Sequence, residues 1–169
     1  MTEQALVIGG TGMLAGATRW LAGAGWDITL LARRPEALAQ DIAARLVPFD
    51  WADPEAAATL AGLPDDFDLA LIWLHDDAVR LARPAEDRLA PGARVIRVHG
   101  ALSADPAVHA LREPDPRPGL ARQSVILGWH PGPDGAHVWL TDDEISGATI
   151  DALQHPTKAT VLAGTKAGA

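Results

Sequence analysis

The sequence has no cysteine and no tyrosine, and no lysine occurs before Lys158. Without thiols there is no disulfide, no zinc–thiolate site and no cysteine nucleophile. Without tyrosine no phenol can donate a proton. Basic residues are also in deficit. The 14 Lys and Arg stand against 22 Asp and Glu, a net charge of −8. Phosphate backbones would repel that charge, so no nucleic-acid partner is expected. Long apolar runs are missing too. The run that begins at Ala5 is broken by Gly9 and Gly10. No stretch reaches the roughly 18–20 uncharged apolar residues of a membrane span, so no membrane partner is expected. Met1-Thr2-Glu3-Gln4 lacks the basic start of an export signal, and a cytoplasmic protein is the expectation.

What is present suits a globular chain. Hydrophobic residues make up 48%, enough for a substantial core and too many for disorder. At 169 residues one domain spanning 1–169 is expected, without linker or repeat. The richness in Ala, Arg, Pro and Gly has a bacterial, GC-rich look.

Apolar runs alternate with helix-like segments. Strands are expected at 5–9, 27–32, 46–49, 67–74, 93–98 and 124–129, with a seventh at 136–140. Residues 156–169 read as an edge strand or a loose tail. Helices are expected at 13–24, with Leu14, Ala17, Leu21 and Ala24 on one face, and at 35–44, 54–62 and 141–153. Another starts at a cap on Asp76 or Asp77 and runs toward Leu89. Thr141 and Glu144 have capping-box spacing. Pro91-Gly92 and 131–135 read as turns, and 103–122 as a loop with a short helix at 106–111. This alternation predicts an α/β fold: one doubly wound Rossmann domain with a mostly parallel sheet of six or seven strands flanked by helices. Ligands of such a sheet bind at the carboxyl ends of its strands.

The segment Leu6-Val7-Ile8-Gly9-Gly10-Thr11-Gly12-Met13-Leu14 sits at the first such end. A strand, a glycine turn and a helix N-terminus follow in order. Glycines let the backbone approach a pyrophosphate, and the helix offers unpaired N–H groups and the positive end of its dipole. The spacing Gly9-x-x-Gly12-x-x-Ala15 departs from Gly-x-Gly-x-x-Gly, so Ala15 or Gly16 must allow the close helix–strand contact. An acidic residue at the end of the second strand would suit NAD. Here Arg33-Arg34-Pro35 follows instead. Two guanidiniums suit a 2′-phosphate and predict NADP(H), unless both are solvated loop charges.

These residues resemble the short-chain dehydrogenase/reductase superfamily in a small, atypical form. Gly9-Gly10-Thr11-Gly12-Met13-Leu14 is similar to its Gly-x-Thr-Gly turn. Phe49-Asp50-Trp51 is similar to its third-strand end, where an Asp holds the adenine amino group. The resemblance covers roughly the first 100 residues. It implies nucleotide contacts from Gly9, Gly10, Thr11, Gly12, Met13, Leu14, Arg33, Arg34, Asp50 and Trp51. It also implies backbone contacts near Leu74 and His75 beside the nicotinamide.

The superfamily's Tyr-x-x-x-Lys motif is absent, so its usual proton donor is excluded. Neither His99 nor Ser103 matches its catalytic serine after the fifth strand. Three histidines follow strands: His75, His99 and His130. Each is a candidate proton donor, because imidazole titrates near neutral pH. His75 could equally cap a helix, and a metal site from His75, Asp76 and His99 is the less favoured alternative. Trp73 and Trp129 read as pocket walls or as core. Three functions stay open. The first is an NADPH-dependent reductase of a small carbonyl, imine or activated alkene, with another acid or none. The second is a non-catalytic NADP(H) sensor, and the third a Rossmann protein with another ligand. A chain this small leaves little protein to close over a nicotinamide, so a homo-oligomer is expected.

Overall fold

The structure is a computed structural model that describes residues 1–100 and 117–165. Seven strands form one sheet: β1 (Gln4–Ile8), β2 (Asp27–Ala32), β3 (Ala44–Pro48), β4 (Phe67–Trp73), β5 (Leu89–His99), β6 (Ala121–Leu127) and β9 (Thr160–Ala163). Their order is β3-β2-β1-β4-β5-β6-β9, and every neighbouring pair is parallel. This is the expected α/β Rossmann architecture. β7 (His130–Pro131) and β8 (His137–Val138) form a separate antiparallel hairpin. The stretch expected as a seventh strand of the main sheet therefore folds back on His130 instead. The Pro-Gly-rich turn between them favours a local pairing.

Strand alternation sorts the core onto two faces. Val7, Leu30, Leu71, Ile96 and Val125 pack under α1 (Ala15–Gly23) and α4 (Asp142–Gln154). Leu6, Ile8, Leu31, Ile72 and Val95 pack under α2 (Ala56–Ala61) and α3 (Ala82–Glu86). Leu14, Ala17 and Leu21 are buried as expected, but Ala24 is the exposed C-cap of α1.

Several boundaries differ from expectation. The segment after Pro35 is a 3-10 turn, Pro35–Leu38, and Ala44 already belongs to β3. The segment after β4 is a 3-10 turn, Asp76–Leu81, followed by the short α3. Its N-cap is His75, which makes no side-chain cap, while Asp76 and Asp77 sit inside the first turn. Pro91-Gly92 does not end a strand. β5 runs through it with a register shift against β4, from Phe67↔Leu89 to Leu69↔Arg94. The helix expected at 106–111, and Ser103, lie outside the described residues.

α4 is held at both ends by side chains. Thr141 and Glu144 make the predicted capping box. At the other end Gln123 donates to the carbonyls of Ala152, His155 and Lys158, and Arg94 to those of Ala152 and Leu153. The last carbonyls of a helix lack intrahelical partners, and these two side chains supply them. Burial lowers the pKa of the Arg94 guanidinium.

Candidate nucleotide-binding cleft

The carboxyl ends of β1 to β4 enclose a cleft of about 890 Å³. Gly9, Thr11, Gly12 and Met13 line it from the β1–α1 turn. Leu31 to Arg34 line it from β2, Glu36 and Ala37 from the 3-10 turn, Phe49 and Trp51 from the loop after β3, and Trp73 from β4. The chain winds from β1 to one side and then crosses to β4 on the other. The cleft thus lies at the switch point, where parallel sheets bind ligands.

The glycine turn is built for close approach. Gly9 has φ +78°, and a Cβ there would lie 2.9 Å from the Trp73 carbonyl oxygen. Gly10 is buried, and a Cβ would strike Val7, Thr18 and Leu30. At Gly12, within the cleft, a Cβ would meet nothing within 4 Å. The close contact assigned to Ala15 or Gly16 is helix on helix. A Cβ at Gly16 would lie 2.9 Å from Ser146 of α4, and the Ser146 hydroxyl donates to the Met13 carbonyl at 2.8 Å. One contributor was not foreseen. The buried Thr18 hydroxyl lies 2.8 Å from the Gly10 carbonyl and 3.0 Å from that of Leu14. It ties the turn to α1, and nothing in one dimension marks an ordinary helical threonine for that task. α1 itself has no side-chain N-cap and no acidic residue in its first turn. The positive end of its dipole is therefore left for an anion.

Towards β2 and β3 the cleft is aromatic. The Arg33 guanidinium carbon lies 5.6 Å from the Trp51 ring centroid, a cation–π contact. Trp51 stacks on His75 at 5.2 Å, and His75 meets Trp73 edge-on at 5.7 Å. Arg80 donates to the Trp51 carbonyl at 3.1 Å and fixes the loop. Asp50 turns into its own loop, where its carboxylate accepts the Ala52 N–H at 3.0 Å.

The structure thus brings Gly9, Thr11, Gly12, Met13, Arg33, Arg34 and Trp51 to one cleft. Gly10, Leu14, Asp50 and Leu74 lie beside it without lining it, and Leu14 and Leu74 are buried in the two core faces. Glu36, which sequence reasoning passed over, does line it. None of the three histidines does. His75 packs against Trp51 and Trp73. His99 ends β5 opposite Ile126 of β6. His130 opens the hairpin with its Nε2 2.6 Å from Glu144 Oε1. The Thr141 backbone N–H, and then His130, lower the pKa of the Glu144 carboxyl. Trp73 is a cleft wall, whereas Trp129 stacks on His137 at 4.2 Å. Among the described residues no three metal-ligating side chains cluster.

Fold and cleft define a doubly wound α/β architecture of the Rossmann type. More narrowly, the chain has the fold of the short-chain dehydrogenase/reductases. A short-chain dehydrogenase/reductase family protein superposes with TM-score 0.67 and 19% identity over 96% of this chain and 95% of that one. A short-chain dehydrogenase from Sphingobium yanoikuyae in complex with NADPH gives 0.65 and 12% over 95% and 87%. A metagenomic short-chain oxidoreductase in complex with NADP gives 0.63 and 16% over 97% of each. No family model matches the sequence, and no curated protein does. No described helix is long and apolar enough to cross a membrane.

Proposed function

We propose that the chain is an NADP(H)-dependent reductase of the short-chain type that acts on a small organic substrate without a tyrosine acid. One observation carries this: the glycine turn and two arginines converge on a single cleft at the switch point. The residues fit the nucleotide. Gly9 and Gly12 leave room for a pyrophosphate against the backbone, and the uncompensated end of α1 favours its charge. Arg33 and Arg34 supply positive charge at the adenosine end, and Trp51 a flat apolar wall. In this reading Asp50 would serve the base and the backbone of Leu74 and His75 the nicotinamide, from beside the cleft. Bound NADPH would supply the hydride. The chain's part is to bind, orient and exclude water. A carbonyl or activated alkene needs one proton to balance the hydride, from His75, His99, His130 or water; an iminium is neutralised by the hydride itself and needs none.

A second reading is favoured by the histidines, none of which lines the cleft: NADP(H) binding without turnover, as in a sensor. Turnover of NADPH against carbonyl, imine and enone panels separates the two. Consumption lost in a histidine-to-alanine variant supports the reductase. Tight NADPH binding with no turnover supports the sensor, and no dinucleotide binding by calorimetry overturns both. Replacing Arg33 and Arg34 together by alanine is expected to weaken NADPH far more than NADH.

The proposal includes a homo-oligomer, in which a neighbouring copy completes the substrate side.

A further inference from the structure

The cleft stops at one side chain. Its lining comes from the turn after β1, the end of β2, the 3-10 turn, the loop after β3 and, last, Trp73 of β4. Among the described residues nothing from the ends of β5 or β6 lines it, although both strands run parallel to β4 on its far side. The indole of Trp73 accounts for this. A Cβ at Gly9 would lie 3.0 Å from its Cδ1, and a Cβ at Gly100 would lie 3.0 Å from its Cη2. These atoms are at opposite ends of the ring system. The indole therefore reaches from the end of β1 to the end of β5, across the end of β4 between them. His75 meets it edge-on at 5.7 Å, and the core under α1 and α4 packs against it. A dinucleotide laid across a switch point has its adenosine on the β2 side and its pyrophosphate at the helix N-terminus. Its second nucleoside lies over the strands on the other side. The first two places belong to the cleft, and the third is beyond Trp73.

We propose that Trp73 is a gate, and that the cleft with its gate shut takes the adenosine diphosphate half of a dinucleotide and excludes the ring of the second nucleoside. That ring is admitted only when the indole moves aside. A ligand that needs a minor conformation binds more weakly in proportion to the fraction of chains that hold it. What the ring gains in contacts is thus offset by the cost of opening, and it adds little to affinity. The gate rests on the nucleotide reading above. The reductase and the sensor then differ in whether it opens.

The test is calorimetric titration with NADP⁺ and with 2′-phospho-ADP-ribose, which is NADP⁺ without its nicotinamide. The wild type is expected to bind NADP⁺ no more than about threefold tighter than the fragment. Trp73→Ala should tighten NADP⁺ at least ~5-fold and leave the fragment within about twofold. Trp73→Phe keeps an aromatic wall but lacks the atoms that approach Gly100, and should shift NADP⁺ the same way by less. Melting temperatures check that each variant folds, and the phenylalanine variant decides the matter if the alanine variant does not. A wild type that holds NADP⁺ beyond the threefold margin overturns the gate. A Trp73 variant that weakens NADP⁺ relative to the fragment makes the indole a platform for the ring and overturns it too. So does a variant that moves both ligands by the same factor, or neither. A wild type that binds neither ligand overturns instead the nucleotide reading beneath, and the gate with it.

Discussion

Single residues decide whether the cleft exists. Gly9 adopts a left-handed backbone beneath the Trp73 carbonyl, and any side chain there is both strained and obstructed. Thr18 has a less obvious task, since its hydroxyl holds the Gly10 carbonyl. Thr18→Val keeps the shape and removes that partner. A buried acceptor left unpaired costs roughly 1–3 kcal/mol. The variant is expected to lose that much in denaturant unfolding and to bind NADPH more weakly, because the turn loosens. Unchanged stability and affinity would show that the bond is dispensable. At this scale the sequence pointed to residues that do line the cleft where residue type and strand position stood out, as with Arg33, Arg34, Gly9 and Gly12. It was unreadable for Glu36 and Thr18, because exposed glutamates and helical threonines are common and only their positions in space distinguish these two.

At the scale of elements, the capping box of α4 is the clearest local instruction in the chain. The Thr141 hydroxyl accepts the Glu144 N–H at 3.3 Å, and the Glu144 carboxylate accepts the Thr141 N–H at 2.8 Å. Thr141→Ala is expected to cost about 0.5–2 kcal/mol, measured as a lowered unfolding midpoint. Glu144 adds a pH dependence. Its carboxyl is held below the ordinary glutamate value by the Thr141 N–H first and by His130 next. The folded state therefore binds that proton less readily than the unfolded state does. The stabilisation is present above the ordinary glutamate pKa and is lost as pH falls through the lowered one. Glu144→Gln, which keeps the acceptor and removes the charge, should flatten this acid limb in a series of melting curves. Parallel curves would refute the assignment. Elsewhere the local signals were weaker than the packing. Pro91-Gly92 has the chemistry of a turn, and it falls where the ladder to β4 skips from Leu89 to Arg94; β5 continues because pairing with β4 and β6 takes over from Arg94. Pro35 starts a single 3-10 turn, since β3 must begin by Ala44 to reach β2.

At the scale of the molecule, the seven-stranded sheet is closed on one face by α1 and α4 and on the other by α2 and α3. Its last strand, β9, alternates exposed and buried residues. Val161 and Ala163 pack toward α4, while Leu162 stays 38% exposed. Val138 and Trp139 of the neighbouring hairpin are also exposed, at 47% and 52%. Among the described residues β9 is the outer strand of the sheet, and an open edge beside exposed apolar side chains is a surface that chains tend to cover. A second copy suits the proposed homo-oligomer. Sedimentation should give a mass above one chain, and Trp139→Glu should lower it. A strict monomer with full activity overturns the proposal. α3 is tied to the β6 side by its buried Glu86, whose carboxylate pairs with Arg122 and accepts the Arg117 N–H. A buried carboxylate is tolerable only when paired in this way.

The sequence by itself determined the architecture and the place of the cleft. Alternating periodicities and a glycine turn after the first strand are local properties, and local sterics and burial translate them directly into strands, helices and a cleft at the strand ends. The lack of tyrosine was equally decisive, since no fold can restore a missing functional group. The tertiary structure alone decided which residues share the cleft. It placed Glu36 beside Arg34, stacked Arg33 on Trp51, and set His75, His99 and His130 outside the lining. These are distances between segments far apart in the chain or turned by a single 3-10 step. They depend on packing that no residue pattern specifies.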